Sequence, residues 1–388
     1  MSNPVDDLTP EARDKRDREE YVWRYRILKK RHPTVVVPSA DDLKHKQISE
    51  IKSQYDDTRR ELAAPTTEFG RDCAFFPIKY PNLLKFYRKQ TEMFWFAPEI
   101  DMSQDREDWA ALDEPTKKMI KFVLCFFAQA DGLVIENITK NFQDQTSAVF
   151  KEAGHFYVAQ NLIETVHNEV YSVMIDVFIT DPVEREQALN AIEHYPSIRK
   201  LGLWMKDWMD SDRPLHEQII AFGCVESIIF VAFFVVIWYV KRRNILGGLC
   251  KANEFIARDE ALHALFAVEL FDTMRKQPGG LGISAADEAA MTRKIIRDAV
   301  DLAEHLVRTM LAADLVGLSA DDLVEYVKVT ADSFSTQLGH GPIYDAASPF
   351  EWMAAIGMVN RTNFFEQRVT EYSKLKAGNF EFCTTADF

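Results

Sequence analysis

Two stretches, ETVH at 164–167 and EALH at 260–263, repeat one local pattern, and an acid precedes each at nearly the same interval. Asp131 stands 33 residues before Glu164, and Glu226 stands 34 before Glu260. Positions i and i+3 lie about 60° apart around a helix, so each Glu-x-x-His presents a carboxylate and an imidazole to one point. The two intervals match a helical hairpin measured between equal heights. The chain therefore reads as two similar halves, each with an acid on one helix and Glu-x-x-His on the next. Asp131, Glu164, His167, Glu226, Glu260 and His263 then meet as candidate ligands. That is the pattern of a carboxylate-bridged di-metal site inside a four-helix bundle. Hard oxygen donors with two imidazoles suit iron or manganese better than a thiolate-bound metal.

Glu226 tests this reading. It interrupts IIAFGCVESIIFVAFFVVIWYVKRR, an apolar run long enough to span a bilayer and followed by three bases. An ionised group at that depth costs roughly 3 kcal/mol in a membrane. In a soluble core a Glu is equally rare unless it is paired or bound to a cation. A ligand role accounts for Glu226, and with no second run of spanning length the expectation is a soluble protein without a membrane span. A buried salt-bridge network would need more cations than this set contains. A third match, EAGH at 152–155, points about 120° away from ETVH along one helix and has no partner acid at the right interval; it is assigned no function.

Tyr171 follows His167 by four residues, so its phenol shares the face of that ligand. Without a metal site it would read as an ordinary core tyrosine. Beside a centre able to activate oxygen, a dry phenol suits one-electron oxidation. Phe230 and Phe234, at i+4 and i+8 from Glu226, extend an apolar wall on that helix.

Composition sets the remaining bounds. The chain has 388 residues, 47% of them hydrophobic, with 27 Phe, enough for a large core. A net charge of −14 argues against non-specific nucleic-acid binding. Five scattered cysteines suit a reducing compartment, and the charged amino terminus has no apolar core of a signal peptide. The expected location is the cytoplasm. Helical periodicity dominates from Phe75 to about Phe365, punctuated at 181–182, 212–214, 247–248, 278–282 and 339–342. Residues 183–212 read as a connection with its own helices. The expected organisation is a charged, partly disordered extension over 1–65, an all-α domain over 66–365, and a flexible tail over 366–388.

Several stretches carry a resemblance: FFPIKYPNLLKFY, FWFAPEIDMSQD, FFAQADG, IETVHNEVYS, ARDEALH, TNFFEQRVTEY and the terminal ADF. Over roughly residues 70–388 the protein resembles the small, radical-bearing subunit of class I ribonucleotide reductase in its eukaryotic and viral form. The resemblance implies a ferritin-like helical fold, a homodimer, and a large catalytic subunit as partner. It implies that the six candidate ligands bind two iron ions per protomer, with manganese the alternative, and that Glu164 and Glu260 bridge them. An Asp at the first ligand position favours the reductase over oxygenases of the same fold.

The same resemblance places Tyr171 at the position of a stable radical formed with O2. It aligns Trp95, Asp259 and Tyr372 with the path that carries the radical equivalent to the large subunit, where ribonucleoside diphosphates are reduced to deoxyribonucleotides. Phe382 and Phe388 match the tail aromatics that anchor the family to that partner.

Overall fold

A computed structural model describes residues 35–62, 74–312 and 315–353, with scattered positions between 14 and 29. Tyr372, Phe382, Phe388 and the expected boundary near 365 lie outside the described residues. Among the described residues the fold is all-α, with no strand and a single isolated bridge between Leu315 and Leu318.

The principal helices are α1 (Pro81–Glu92), α2 (Glu114–Asn137), α3 (Lys151–Phe178), α4 (Pro196–Met209), α5 (Leu215–Lys241), α6 (Gly247–Arg275), α7 (Ala285–Met310) and α8 (Ala320–Gln337). Their starts carry ordinary N-terminal chemistry. Asp113 accepts from the Thr116 amide at the head of α2, Ser284 from Asp287 at α7, and Ser319 from Asp322 at α8. Each bond satisfies an amide that has no partner within the helix.

The break expected at the glycine pair 247–248 falls just before it, over 242–246, and the pair itself forms the first turn of α6. Asp105 accepts from the amides of Gly248 at 2.9 Å and Leu249 at 2.7 Å, and Asp108 accepts from Leu246 at 2.8 Å. A Cβ on Gly248 would lie 2.5 Å from the Asp101 carbonyl oxygen, so glycine is what permits this approach.

α2 packs along α3 and α5 along α6, giving the two hairpins that the repeated spacing requires. α3 also meets α6, and α2 meets α5, closing a four-helix core. α1 lies across α3 and α6, while α7 and α8 cover α5. The apolar run is the covered helix at the centre: Phe230, Phe233, Val235, Val236 and Ile237 are fully buried. Each such side chain contributes roughly 1.5–3 kcal/mol relative to exposure. Its hydropathy is that of a core helix.

Within α5 the segment Val225–Ile229 winds as a π turn, and Glu226 lies in it. Such turns widen the helix by one residue and recur at functional sites. A second π turn, Ile138–Phe142, follows α2. Ahead of the bundle, helices Ala40–Leu43 and Ile48–Leu62 pack with Tyr21 into a small cluster separate from the main core.

Candidate metal centre

Each helix of the core delivers its acid or its Glu-x-x-His pair to one buried point. Asp131 comes from α2, Glu164 and His167 from α3, Glu226 from the π turn of α5, and Glu260 and His263 from α6. All six side chains are 5% exposed or less. Ligand atoms of Glu164, Glu226, Glu260 and His263 lie within 4.8 Å of one another.

The two central carboxylates each face both imidazoles. Glu164 sets Oε2 3.2 Å from His167 Nδ1 and Oε1 3.0 Å from His263 Nδ1. Glu260 sets Oε1 2.9 Å from His167 Nδ1 and Oε2 3.0 Å from His263 Nδ1. Each carboxylate thus spans the two halves, one oxygen to each side. Gln160 donates to Glu164 at 3.1 Å and to Glu226 at 3.4 Å, tying the fourth acid to this pair.

Buried oxygens without partners show what the cluster lacks. Both oxygens of Asp131, and Glu226 Oε2, make no hydrogen bond. Burying such groups unpaired is costly, and cations would satisfy them. Four carboxylates and two imidazoles, with no thiol among them, fit a pair of divalent metals.

Protonation follows from the same crowding. Burial, then the neighbouring Glu164 charge, pushes the Asp131 carboxyl well above its usual range. Burial, then Glu260, does the same to Glu226. Burial opposes ionisation of Glu260, but the His263 charge and hydrogen bonds from Glu226 and both histidines outweigh it and lower its pKa. Burial also opposes the His263 cation, yet Glu260 and Glu164 push its pKa up to about 9. His167 is raised too, because Asp259, Glu164 and Glu260 overcome its burial.

The outer ring nitrogens are held differently. His167 Nε2 lies 3.3 Å from Asp259 Oδ2, and that oxygen accepts from Trp95 Nε1 at 2.7 Å. His263 Nε2 lies 3.0 Å from the Gln90 amide oxygen. One imidazole is backed by a charge and the other by a neutral amide, and such outer partners set ring orientation and basicity. The structure thus brings Trp95 and Asp259 to the edge of the cluster.

Tyr171 is 1% exposed, and its hydroxyl has no hydrogen-bond partner. Burial, then the Asp131 charge, raises its pKa well above the usual phenol range. Its ring stacks on Phe127, centroids 4.6 Å apart and planes 6° apart. Phe127 in turn contacts Phe230 at 5.4 Å and Phe234 at 5.0 Å. Phe127, which the sequence reading missed, is therefore the ring in contact with the phenol, and the expected pair meets Phe127. A spacing signal existed, since Phe127 precedes Asp131 by one helical turn. Gln160 stands in the same relation to Glu164, whereas nothing local marks Gln90. The EAGH match stays apart: Glu152 accepts from the Lys79 amide at 2.6 Å, and His155 stacks on Phe75.

Comparisons with known proteins agree with this geometry. The family model described as "Ribonucleotide reductase, small chain" matches residues 72–349. A ribonucleoside-diphosphate reductase small chain from Arabidopsis thaliana is 38% identical over 314 residues, covering 81% of this protein and 90% of that one. The small chain of vaccinia virus (strain Ankara) is 37% identical over 300 residues, covering 77% and 91%. Among solved structures, the Rnr4 homodimer of ribonucleotide reductase from Saccharomyces cerevisiae aligns with a TM-score of 0.64 at 25% identity, over 80% of this protein and 97% of that one. The hairpin pair, the six buried donors and these likenesses lead to one conclusion: the protein belongs to the ribonucleotide reductase small-chain family.

Proposed function

We propose that this protein is the radical-generating small subunit of a ribonucleoside-diphosphate reductase, with a di-iron centre held by Asp131, Glu164, His167, Glu226, Glu260 and His263. When bound, the iron pair supplies the O2-dependent one-electron oxidation of Tyr171. The observation that carries this reading is the pair of carboxylates, Glu164 and Glu260, each facing both imidazoles. Family membership supports it.

The protein's own residues have separable tasks. Burial keeps water from Tyr171, and stacking on Phe127 keeps the phenol fixed. Phe230 and Phe234 hold Phe127 in place. Asp259 orients His167 and accepts the indole N–H of Trp95, so the three form a buried polar relay leading away from the metals. Tyr372 continues that relay toward the large subunit, and Phe382 and Phe388 anchor the tail. The subunit works as a cytoplasmic homodimer. Its organisation is an extension over 1–65, a di-metal domain over 66–365 and a docking tail over 366–388.

Aerobic reconstitution with ferrous iron tests the reading. The expected result is about two iron ions per protomer and a tyrosyl spin signal that Tyr171→Phe removes while iron uptake persists. Nucleotide reduction should require the large subunit and be lost when the tail is deleted. Equal spin signals from Tyr171→Phe and the unchanged protein would overturn the role given to Tyr171.

A further inference from the structure

Glu226, Phe230, Phe234 and Trp238 follow one another at intervals of four along α5, so a row of rings leaves the ligand acid on one face of the helix. Trp238 stands about 18 Å along the axis from Glu226. Phe234 meets Phe230 at 6.4 Å and Trp238 at 6.2 Å. Phe127 of α2 joins this row, stacking on Phe234 with the planes 15° apart and also on Tyr171. Rings therefore run without a break from the Tyr171 phenol through Phe127 and Phe234 to an indole.

The row ends near solvent. Trp238 is 7% exposed, whereas Phe127, Phe230 and Phe234 are 1% or less. Among the described residues the Trp238 N–H has no hydrogen-bond partner, yet it is not one of the buried unsatisfied groups, so it is open to water. Trp109 differs: it is 8% exposed and stacks on Phe178, but among the described residues no ring contact joins that pair to Tyr171. Trp95 reaches the cluster another way, through Asp259 and His167. Phenylalanine is far harder to oxidise than tyrosine or tryptophan, so an electron crosses Phe127 and Phe234 by tunnelling without resting there. The proposed function gives Trp238 no role.

We propose that Trp238 is the outlet for oxidising equivalents that Tyr171 does not hold. This rests on the proposed di-metal reading. In the step, one electron passes from the indole through the row of rings to the metal pair after its oxidation by O2. The N–H proton leaves to water, and a neutral indolyl radical stays on Trp238. A further O2 adds to that ring, and a free ferrous ion and a water proton convert the resulting peroxyl to a hydroperoxide. The carbon–carbon bond of the pyrrole ring then opens to N-formylkynurenine, which is tryptophan plus both atoms of O2. Damage falls at the far end of α5 and spares the ligands. With Tyr171 present, the phenol is the nearer donor and the outlet is little used. When the Tyr171 hydroxyl is removed, Trp238 supplies the electron.

The test is peptide mass mapping after repeated cycles of ferrous iron and O2, with iron content measured on each protein. The unchanged protein is compared with Tyr171→Phe, and with Tyr171→Phe carrying Trp238→Phe, Phe234→Leu or Phe127→Leu. The expected result in Tyr171→Phe is a gain of two oxygen atoms at Trp238, several-fold above that in the unchanged protein and above that at Trp109. Phe234→Leu and Phe127→Leu each interrupt the row of rings, and each should lower this yield several-fold. Freeze-quenched spin resonance with ring-deuterated tryptophan should show a transient, deuterium-sensitive signal in Tyr171→Phe that Trp238→Phe removes while iron uptake persists. Oxidants loose in solution would instead mark the more exposed Trp204 first. Oxidation that follows exposure, equal yields at Trp109 and Trp238, or a transient signal that survives Trp238→Phe overturns this inference while the Tyr171 signal of the unchanged protein stands. The same follows from a yield that neither leucine variant lowers. Iron uptake without any tyrosyl signal in the unchanged protein overturns the proposed function and this inference together.

Discussion

Trp95 Nε1 donates to the same Asp259 oxygen that faces His167 Nε2, at 2.7 Å and 3.3 Å respectively. The other Asp259 oxygen accepts from Arg258 at 3.3 Å, and the same Arg258 nitrogen donates to the Met93 carbonyl at 2.8 Å, two residues before Trp95. One carboxylate therefore ties the α6 ligand helix, the α3 histidine and the Trp95 segment together. The Trp95 and His167 rings also lie nearly parallel, with centroids 5.9 Å apart.

Replacing Asp259 separates its two jobs. Asp259→Asn keeps the shape but removes the charge behind His167, and metal affinity or activity should fall about 10–100-fold. Trp95→Phe keeps the ring but loses the N–H donor. That variant should bind iron and form the Tyr171 signal normally, yet lose nucleotide reduction with the large subunit. Metal titration, spin counting and a coupled reduction assay distinguish these outcomes. Normal turnover in Trp95→Phe would remove the indole from the transfer path.

The convergence of the six buried side chains was legible because helical spacing carries information across a hairpin: Asp131 to Glu164 and Glu226 to Glu260 repeat one interval, and i,i+3 fixes each pair. The all-α fold followed from the same periodicity. Gln90 was not legible, since α1 reaches His263 only through tertiary packing across α6. The π turn at Val225–Ile229 left no mark in the apolar pattern, because every face of that helix is covered. The glycine pair at 247–248 marked the boundary between α5 and α6, though not which side of it the pair would join. Glycine commonly ends helices, but here Gly248 starts one because two backbones approach closely.

Metal binding should depend on pH in a defined direction. His263, raised to about 9, and His167, also raised, carry protons at neutral pH that a metal must displace. Affinity should therefore climb as pH rises toward 9, with protons released on loading. The metal-free protein should do the opposite. A group whose pKa is raised by folding adds stability below its ordinary value, and that stability is lost as pH rises through the folded value. For His263 the window runs from 6.5 to about 9, and the raised Asp131 and Glu226 carboxyls act in the same direction from the acid side. Glu260, lowered by folding, opposes this only in acid, where its contribution is lost as pH falls below 4.5. Calorimetric proton counting and thermal melts with a chelator measure both effects. Metal affinity that is flat between about pH 6 and 9 would contradict them.

The two glycines at the head of α6 should respond differently to alanine. A Cβ on Gly248 meets the Asp101 oxygen at 2.5 Å and Asp105 Oδ2 at 2.9 Å, so Gly248→Ala displaces the carboxylate that caps the helix. The expected loss is about 1–3 kcal/mol in urea unfolding. At Gly247 a Cβ meets nothing within 4 Å, and Gly247→Ala should be neutral or gain up to about 1 kcal/mol from helix propensity. Equal effects at the two positions would show that the close approach at Gly248 is unimportant.

Glu226→Leu sets the cost of the site against its use. In the metal-free protein Glu226 is buried, its Oε2 has no partner, and its neighbours are three other acids. Replacing a complete buried ion pair by apolar groups of similar volume is commonly neutral or stabilising by about 1–4 kcal/mol, and Glu226, pushed toward its neutral form by burial and the neighbouring acids, leaves no cation unpaired when it is removed. Metal-free Glu226→Leu should therefore melt above the unchanged protein in chelator. Adding ferrous iron should then raise the melting temperature of the unchanged protein strongly and that of the variant far less, because stabilisation by a ligand scales with its affinity for the folded state. The two melting curves should cross as iron is titrated in. If Glu226 were held for packing alone, the variant would be the less stable of the two without metal, and iron would shift both proteins equally.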